Sequence, residues 1–201
     1  MQCKCMKAVL SLAVLLLAAC SEPPKTETEK PFPSSPVTGK TAFWELYKAA
    51  HSWAGDLQAF KLESKTAPNV KNEAGNAAIW VGTFGSTSRH QAIMITYATS
   101  ANPPDIVRGI NVGHPFPWQG ASQDALPFQV TDHSTDSDAA YKTAAAKADA
   151  WIKKHPDKEV SFSLGNAARF GTPVWYVLWG DSKSGYSVYV DANTGEIVKG
   201  K

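Results

Sequence analysis

Apolar and polar residues divide this chain into three regimes. Ala8 to Ala19 is an apolar run broken only by Ser11, and it follows Lys4 and Lys7 with no acidic residue nearby. Residues 21–40 then read SEPPKTETEKPFPSSPVTGK, with interleaved charges, five prolines and only Phe32 and Val37 as sizeable apolar groups. From Thr41 onward short periodic segments take over. Phe43, Leu46, Tyr47, Ala50, Trp53 and Ala54 recur at three- and four-residue spacing, which predicts a helix stopping at Gly55-Asp56. Tyr141, Ala144, Ala145, Ala148, Trp151 and Ile152 predict a second helix, with Asp136 or Ser137 as its N-cap. Lys153, Lys154 and His155 suit the negative C-terminal end of its dipole before Pro156.

Alternating segments fill the rest. Leu57-Ala59 with Phe60-Leu62, and Val160-Phe162-Leu164, each follow a helix, while Ile106 to Val112 and Glu196-Ile197-Val198 supply short final strands. Between them lie two hairpins. AIWVGTFGSTSRHQAIMITYATS (78–100) aligns without gaps on PVWYVLWGDSKSGYSVYVDANTG (173–195), matching Trp80 with Trp175, Gly85 with Gly180 and Thr99 with Thr194. In the second hairpin Val174, Tyr176 and Leu178 share one face and Trp175, Val177 and Trp179 the other, so that strand is expected to be central and covered on both sides. Its partner carries Tyr186, Val188 and Val190 against Ser187, Tyr189 and Asp191, one buried and one wetter face. The expected fold class is α+β, as two repeated units, each a helix packed on an antiparallel sheet. The first unit with its connecting segment spans 41–120 and the second 121–201.

The stretch PVWYV (173–177), followed by GYSVYVDANTGEIV (185–198), resembles the end of a PepSY domain, whose hallmark is a Trp-bearing strand and then a strand running into Asp-x-x-Thr-Gly-Glu. The resemblance covers about residues 137–201 and reaches 41–112 only through the internal repeat. It implies a PepSY/cystatin-like helix-on-sheet module that is not itself an enzyme and that binds or inhibits peptidases or serves in assembly. Asp191, Asn193, Thr194 and Gly195 are also what a turn requires, and the first copy has Thr96 and Ser100 in place of the Asp and Gly.

The N-terminal pattern is that of a signal peptide. Its apolar run is shorter than the roughly twenty residues that a membrane-spanning helix needs, so removal is expected. Leu17-Ala18-Ala19-Cys20 resembles the bacterial lipobox, which implies cleavage after residue 19 and an acyl group such as palmitate on Cys20. Met6 is an alternative start. Ser21, where an aspartate would retain many lipoproteins at the inner membrane, points to the periplasmic face of the outer membrane. Residues 20–40 are expected to be a lipidated, disordered tether, since they cannot bury enough to fold, and could reach roughly 60 Å.

Composition narrows the chemistry. Removing the signal takes away Lys4 and Lys7 and leaves 18 basic and 18 acidic side chains, which gives nucleic-acid binding no support. No cysteine pair remains for a disulfide or thiolate metal site. HExxH, Walker, GxGxxG and GxSxG motifs are absent, and His51, His90, His114, His133 and His155 lack metal-ligand spacing. Asp132-His133-Ser134 names triad residues, but sequence neighbours cannot form that geometry. No catalytic residue, cofactor or metal is therefore expected, and a hydrolase would need a cleft of clustered titratable groups. Two loops stand out as irregular, Gly113 to Gly120 and Gly165 to Gly171. Phe116 and Trp118 in the first are expected to plug the seam between the units, with ligand contact as the alternative. The leading expectation is an envelope lipoprotein, anchored through lipid on Cys20, whose body binds a protein partner, with peptidases as candidates. The second is a small-molecule or lipid binder using a groove between helix and sheet, lined by several tryptophans.

Overall fold

The alternation of side chains puts about twice as much of the structured chain into strands as into helices, 40% strand against 20% helix. The computed structural model describes residues 32–129, 131 and 134–198. The expected signal peptide, Cys20, and Asp132 and His133 lie outside the described residues. In chain order the elements are β1 (Val37–Thr38), α1 (Gly39–Trp53), β2 (Leu57–Lys65), β3 (Asn76–Ala77), β4 (Ile79–Ser86), β5 (Gln91–Ala98), β6 (Gly109–Val112) and β7 (Phe116–Pro117). There follow α2 (Ser137–Lys154), β8 (Val160–Asn166), β9 (Pro173–Trp179), β10 (Tyr186–Asp191) and β11 (Ile197–Val198). Among the described residues no helix is long and apolar enough to cross a membrane.

One antiparallel sheet runs in the order β11-β10-β9-β8-β2-β4-β5-β6, with β7 added beside β5. This overturns the expectation of two repeated units, each a helix on its own sheet. The reason lies at β2 and β8, which pair directly through Lys61 with Gly165, Leu62 with Leu164 and Glu63 with Ser163. Two separate sheets would each leave a row of unpaired N–H and C=O groups at that edge; joining them removes both edges. The core follows the same logic. Phe43 and Leu46 of α1, Ala140, Ala144 and Ala148 of α2, and the inward residues of β2, β4, β8, β9 and β10 belong to one buried cluster.

The seam is short and its ends are filled by other groups. Toward one end the Ser64 hydroxyl accepts the Phe162 N–H at 2.9 Å. At the other, the Phe128 N–H donates to Ala59 O and the Leu126 N–H to Asn166 O, both at 2.9 Å, so residues 126–128 lace β2 to β8. Phe128 is buried there, its ring 5.6 Å from Phe43. The plug expected of Phe116 and Trp118 is supplied by Phe128, whose backbone completes the broken ladder as its ring enters the core.

Both helices begin at one place. The Asp136 carboxylate accepts the Ser137 N–H at 2.6 Å as cap of α2 and the Lys40 N–H at 2.8 Å in the first turn of α1. The Ser137 hydroxyl accepts the Gly39 N–H at 2.7 Å and donates to Gly75 O at 2.6 Å. Orphan N–H groups of both helices are thereby satisfied by two adjacent side chains. Beneath them Trp80 and Trp175 meet edge to face, 6.2 Å apart, both fully buried. Each indole N–H donates to the carbonyl two residues ahead of a helix, Trp80 to Val37 at 3.0 Å and Trp175 to Thr135 at 2.9 Å.

Residues 32–40, expected as the end of the disordered tether, are structured. The Phe32 ring lies 4.8 Å from Tyr97, Arg108 donates to the carbonyls of Phe32 and Pro33, and Val37–Thr38 pair with Asn76–Ala77. Phe32 and Val37 were the two apolar groups of that segment, and both find burial against the core.

Candidate functional site

The helices cover one face of the sheet. The other face carries, reading across β10, β9, β8, β2, β4 and β5, the residues Tyr189, Tyr176, Ser163, Lys61, Thr83 and Ala92. Large rings thus stand on β9 and β10, while β8, β4 and β5 present Ser163, Thr83 and Ala92 and Lys61 is drawn onto Glu63, which leaves a hollow of about 420 Å³.

A β-bulge builds one wall. The pairing of β2 with β4 shifts register between Ala59 and Lys61, so Ala59 and Leu62 both join the core while Phe60 and Lys61 both line the hollow. An extra residue in a strand re-aims its side chain in this way. The Phe60 ring meets the Trp118 indole at 4.9 Å. Trp118 is held by its backbone N–H on His90 O at 3.1 Å, and a β-carbon on Gly85 would fall 3.0 Å from both rings. Gly85 therefore makes room for the pair. Phe116, brought in by β7 beside Ala92, completes this side.

The opposite wall is a file of three rings. Tyr176 and Tyr189 are directly paired across β9 and β10 with centroids 4.9 Å apart, and Phe170 lies 4.9 Å from Tyr189. Phe170 belongs to the loop after β8, which is fixed by the Phe170 N–H on Ala167 O at 2.9 Å and the Ala168 N–H on Gln123 O at 2.8 Å. That second bond ties it to the turn carrying Asp124. Asn166 donates to Pro127 O at 3.0 Å, while its Oδ1 is buried without a partner.

Charge is sparse. Lys61 is neutralised by Glu63 at 2.5 Å, and Glu63 also holds Lys65 at 2.6 Å. Burial pushes the Glu63 carboxyl up, but the bonds from the two lysines outweigh it and hold the group below its ordinary value. Arg169 is exposed at the rim, its guanidinium 4.8 Å over the Phe170 ring. Asp124 is the one carboxylate among the lining residues, which include no histidine or cysteine.

Both loops singled out in the sequence meet at this hollow. Phe116 and Trp118 are half-buried walls of it, and Phe170 and Arg169 stand opposite. Phe60, Tyr176 and Tyr189 were not expected at a site. The available signals were the break between the runs 57–59 and 60–62, and Tyr189 on the wetter face of the last strand of the hairpin; Tyr176 was expected on a covered face. The predicted groove between helix and sheet is instead filled by Trp80 and Trp175. Cys20 lies outside the described residues. Ser134 donates to Asn193 O at 2.5 Å, while its neighbours His133 and Asp132 lie outside them too. Among the described residues no three His, Cys, Asp or Glu side chains converge as metal ligands.

No family model matches this chain, and no curated protein does. The PepSY resemblance is therefore not confirmed. Among solved structures, the chain is similar to a protein of Clostridium difficile 630 provisionally described as a lipoprotein, at 12% identity and a TM-score of 0.48, covering 85% of this chain and 94% of that one.

Proposed function

We propose that this protein is an envelope lipoprotein, anchored through Cys20, whose folded body is a non-catalytic binding module that seats a small, largely apolar ligand in the aromatic hollow. The observation that carries the ligand half is the hollow itself. Its volume falls within the roughly 300–1,000 Å³ of small-molecule sites, and six aromatic rings delivered by a bulge, two strands and two loops converge on it. Phe60 is buried, but the other five rings are only half-buried, and none of the six belongs to the main core cluster beneath the helices. The protein-partner reading rests on the anchor, the internal repeat and the missing catalytic motifs, and its peptidase form on the PepSY resemblance; the single sheet removes the two repeated units from that support. The anchor half is supported by the lipobox-like Leu17 to Cys20.

The test uses the full chain carrying Cys20→Ser, which has no acyl group to compete for probe. Titration with the neutral fluorophore N-phenyl-1-naphthylamine should give a saturable increase that Phe170→Ala with Tyr176→Ala removes. Absence of saturation, or binding indifferent to those substitutions, overturns the ligand reading. Metabolic labelling with a palmitate analogue should mark the wild type and spare Cys20→Ala.

A further inference from the structure

Arg169 has no work to do in the fold. It is exposed, it lines the hollow, and among the described residues no carboxylate lies within 4 Å of it, although Asp124 stands on the neighbouring turn. Its one defined contact is the face of Phe170 at 4.8 Å. Stacking on a ring orients a guanidinium while leaving its N–H fork available, which is how arginine receives carboxylates bidentately. Lys61, the other cation of the lining, is already neutralised by Glu63. The hydroxyls of Tyr176 and Tyr189 make no hydrogen bond among the described residues and stand beside the same ring file.

The walls constrain the body of the ligand. Rings flank a floor of Thr83, Ala92, Ser163 and Gly165, residues too small to fill the space between them, with the Lys61 ammonium among them held by Glu63. A flat apolar ring system fits between such walls, since offset and edge contacts between aromatic faces reward planarity.

We propose, on the reading of the hollow as a ligand site, that its ligand is a small aromatic monoanion, with the ring system between the two aromatic walls and the carboxylate held by Arg169. Arg169 is then the residue that determines specificity.

The experiment compares 2-naphthoate with its neutral isostere 2-naphthamide by calorimetry on the full chain carrying Cys20→Ser. At low salt the anion should bind about tenfold tighter or better, as one charge-assisted pair would give. The margin should shrink with salt and vanish in Arg169→Gln, with 2-naphthamide binding unchanged. Arg169→Lys should keep part of it. Equal affinities in the wild type, or a preference that survives Arg169→Gln, overturn the proposal. Dodecanoate carries the same head on a flexible chain; if it binds more tightly than 2-naphthoate, the flat-ring assignment is wrong. If neither naphthyl compound binds while N-phenyl-1-naphthylamine does, the anion proposal fails and the ligand site stands. If the fluorophore fails as well, both fall.

Discussion

Tyr176 and Tyr189 face each other across neighbouring strands, with rings 4.9 Å apart, on the side of the sheet that no helix covers. Both are only half-buried, so their contribution to stability is that of one cross-strand aromatic pair, about 0.5–1.5 kcal/mol. Tyr189→Ala should therefore lower the urea midpoint only slightly, yet weaken N-phenyl-1-naphthylamine binding by about tenfold, the effect of losing one ring contact of about 1.4 kcal/mol. Paired urea and fluorescence titrations separate the two effects. A large stability loss with unchanged binding would make the ring file structural.

Gly39 opens α1 where the two tryptophans meet. A β-carbon there would lie 2.5 Å from Trp175 Cη2 and 3.2 Å from Trp80 Cη2. Neither indole can retreat, because both are fully buried and both N–H groups are committed to carbonyls. Gly39→Ala should destabilise by about 1–3 kcal/mol through overpacking, despite the better helix propensity of alanine. Denaturation with near-ultraviolet circular dichroism as a second readout checks it, since the tryptophan signal should change as well.

Asp136 and Ser137 serve two helices at once. Asp136→Ala removes acceptors from Ser137 N and Lys40 N and should cost about 1–2 kcal/mol, at the upper end of N-cap effects. Asp136→Asn, which keeps an acceptor oxygen, should cost less. Ser137→Ala leaves the buried Gly39 N–H and Gly75 C=O unpaired and should cost about 1–3 kcal/mol. Urea unfolding of the three variants gives the order.

Asp56 gives the acid limb of stability a defined window. Its carboxyl accepts the Ser86 hydroxyl at 2.6 Å and the Ser88 N–H at 2.8 Å, and these hold its pKa at about 2, below the ordinary 3.8. The folded state thus favours the carboxylate more than the unfolded chain does. Its contribution is complete above pH 3.8 and is lost as the pH falls toward 2. Asp56→Asn should flatten that part of the profile and leave its shape above pH 5 unchanged. Urea midpoints measured from pH 2 to 6 are the check; an unchanged acid limb would mean that other carboxylates set it.

Local order was legible where it depends on neighbours in the chain. The apolar spacing of Phe43 to Trp53 and of Tyr141 to Ile152 marked both helices, and the cap was narrowed to Asp136 or Ser137, of which Asp136 takes the role, because capping is a contact between residues close in the chain. The two-sided apolar character of Val174 to Trp179 marked β9 as central, and it lies between β8 and β10. The bulge at Phe60 was visible only as a stutter in the alternation. Nothing in the spacing of Phe60, Trp118, Phe170, Tyr176 and Tyr189 announced that they would meet.

What the sequence determined alone was periodicity: which residues lie on one side of a helix or strand, where elements start, and the signal-like and lipobox-like pattern before Ser21. Only the tertiary structure decided that β2 would pair with β8, that Phe128 would close the seam, and that rings from two walls would stand over small residues across it. The physical reason is range. Helix periods and strand alternation arise from bonds between residues a few positions apart, whereas strand order is settled by which edges find partners across the whole chain. The hollow is a product of that second choice. It exists because one sheet was formed where the repeat had pointed to two.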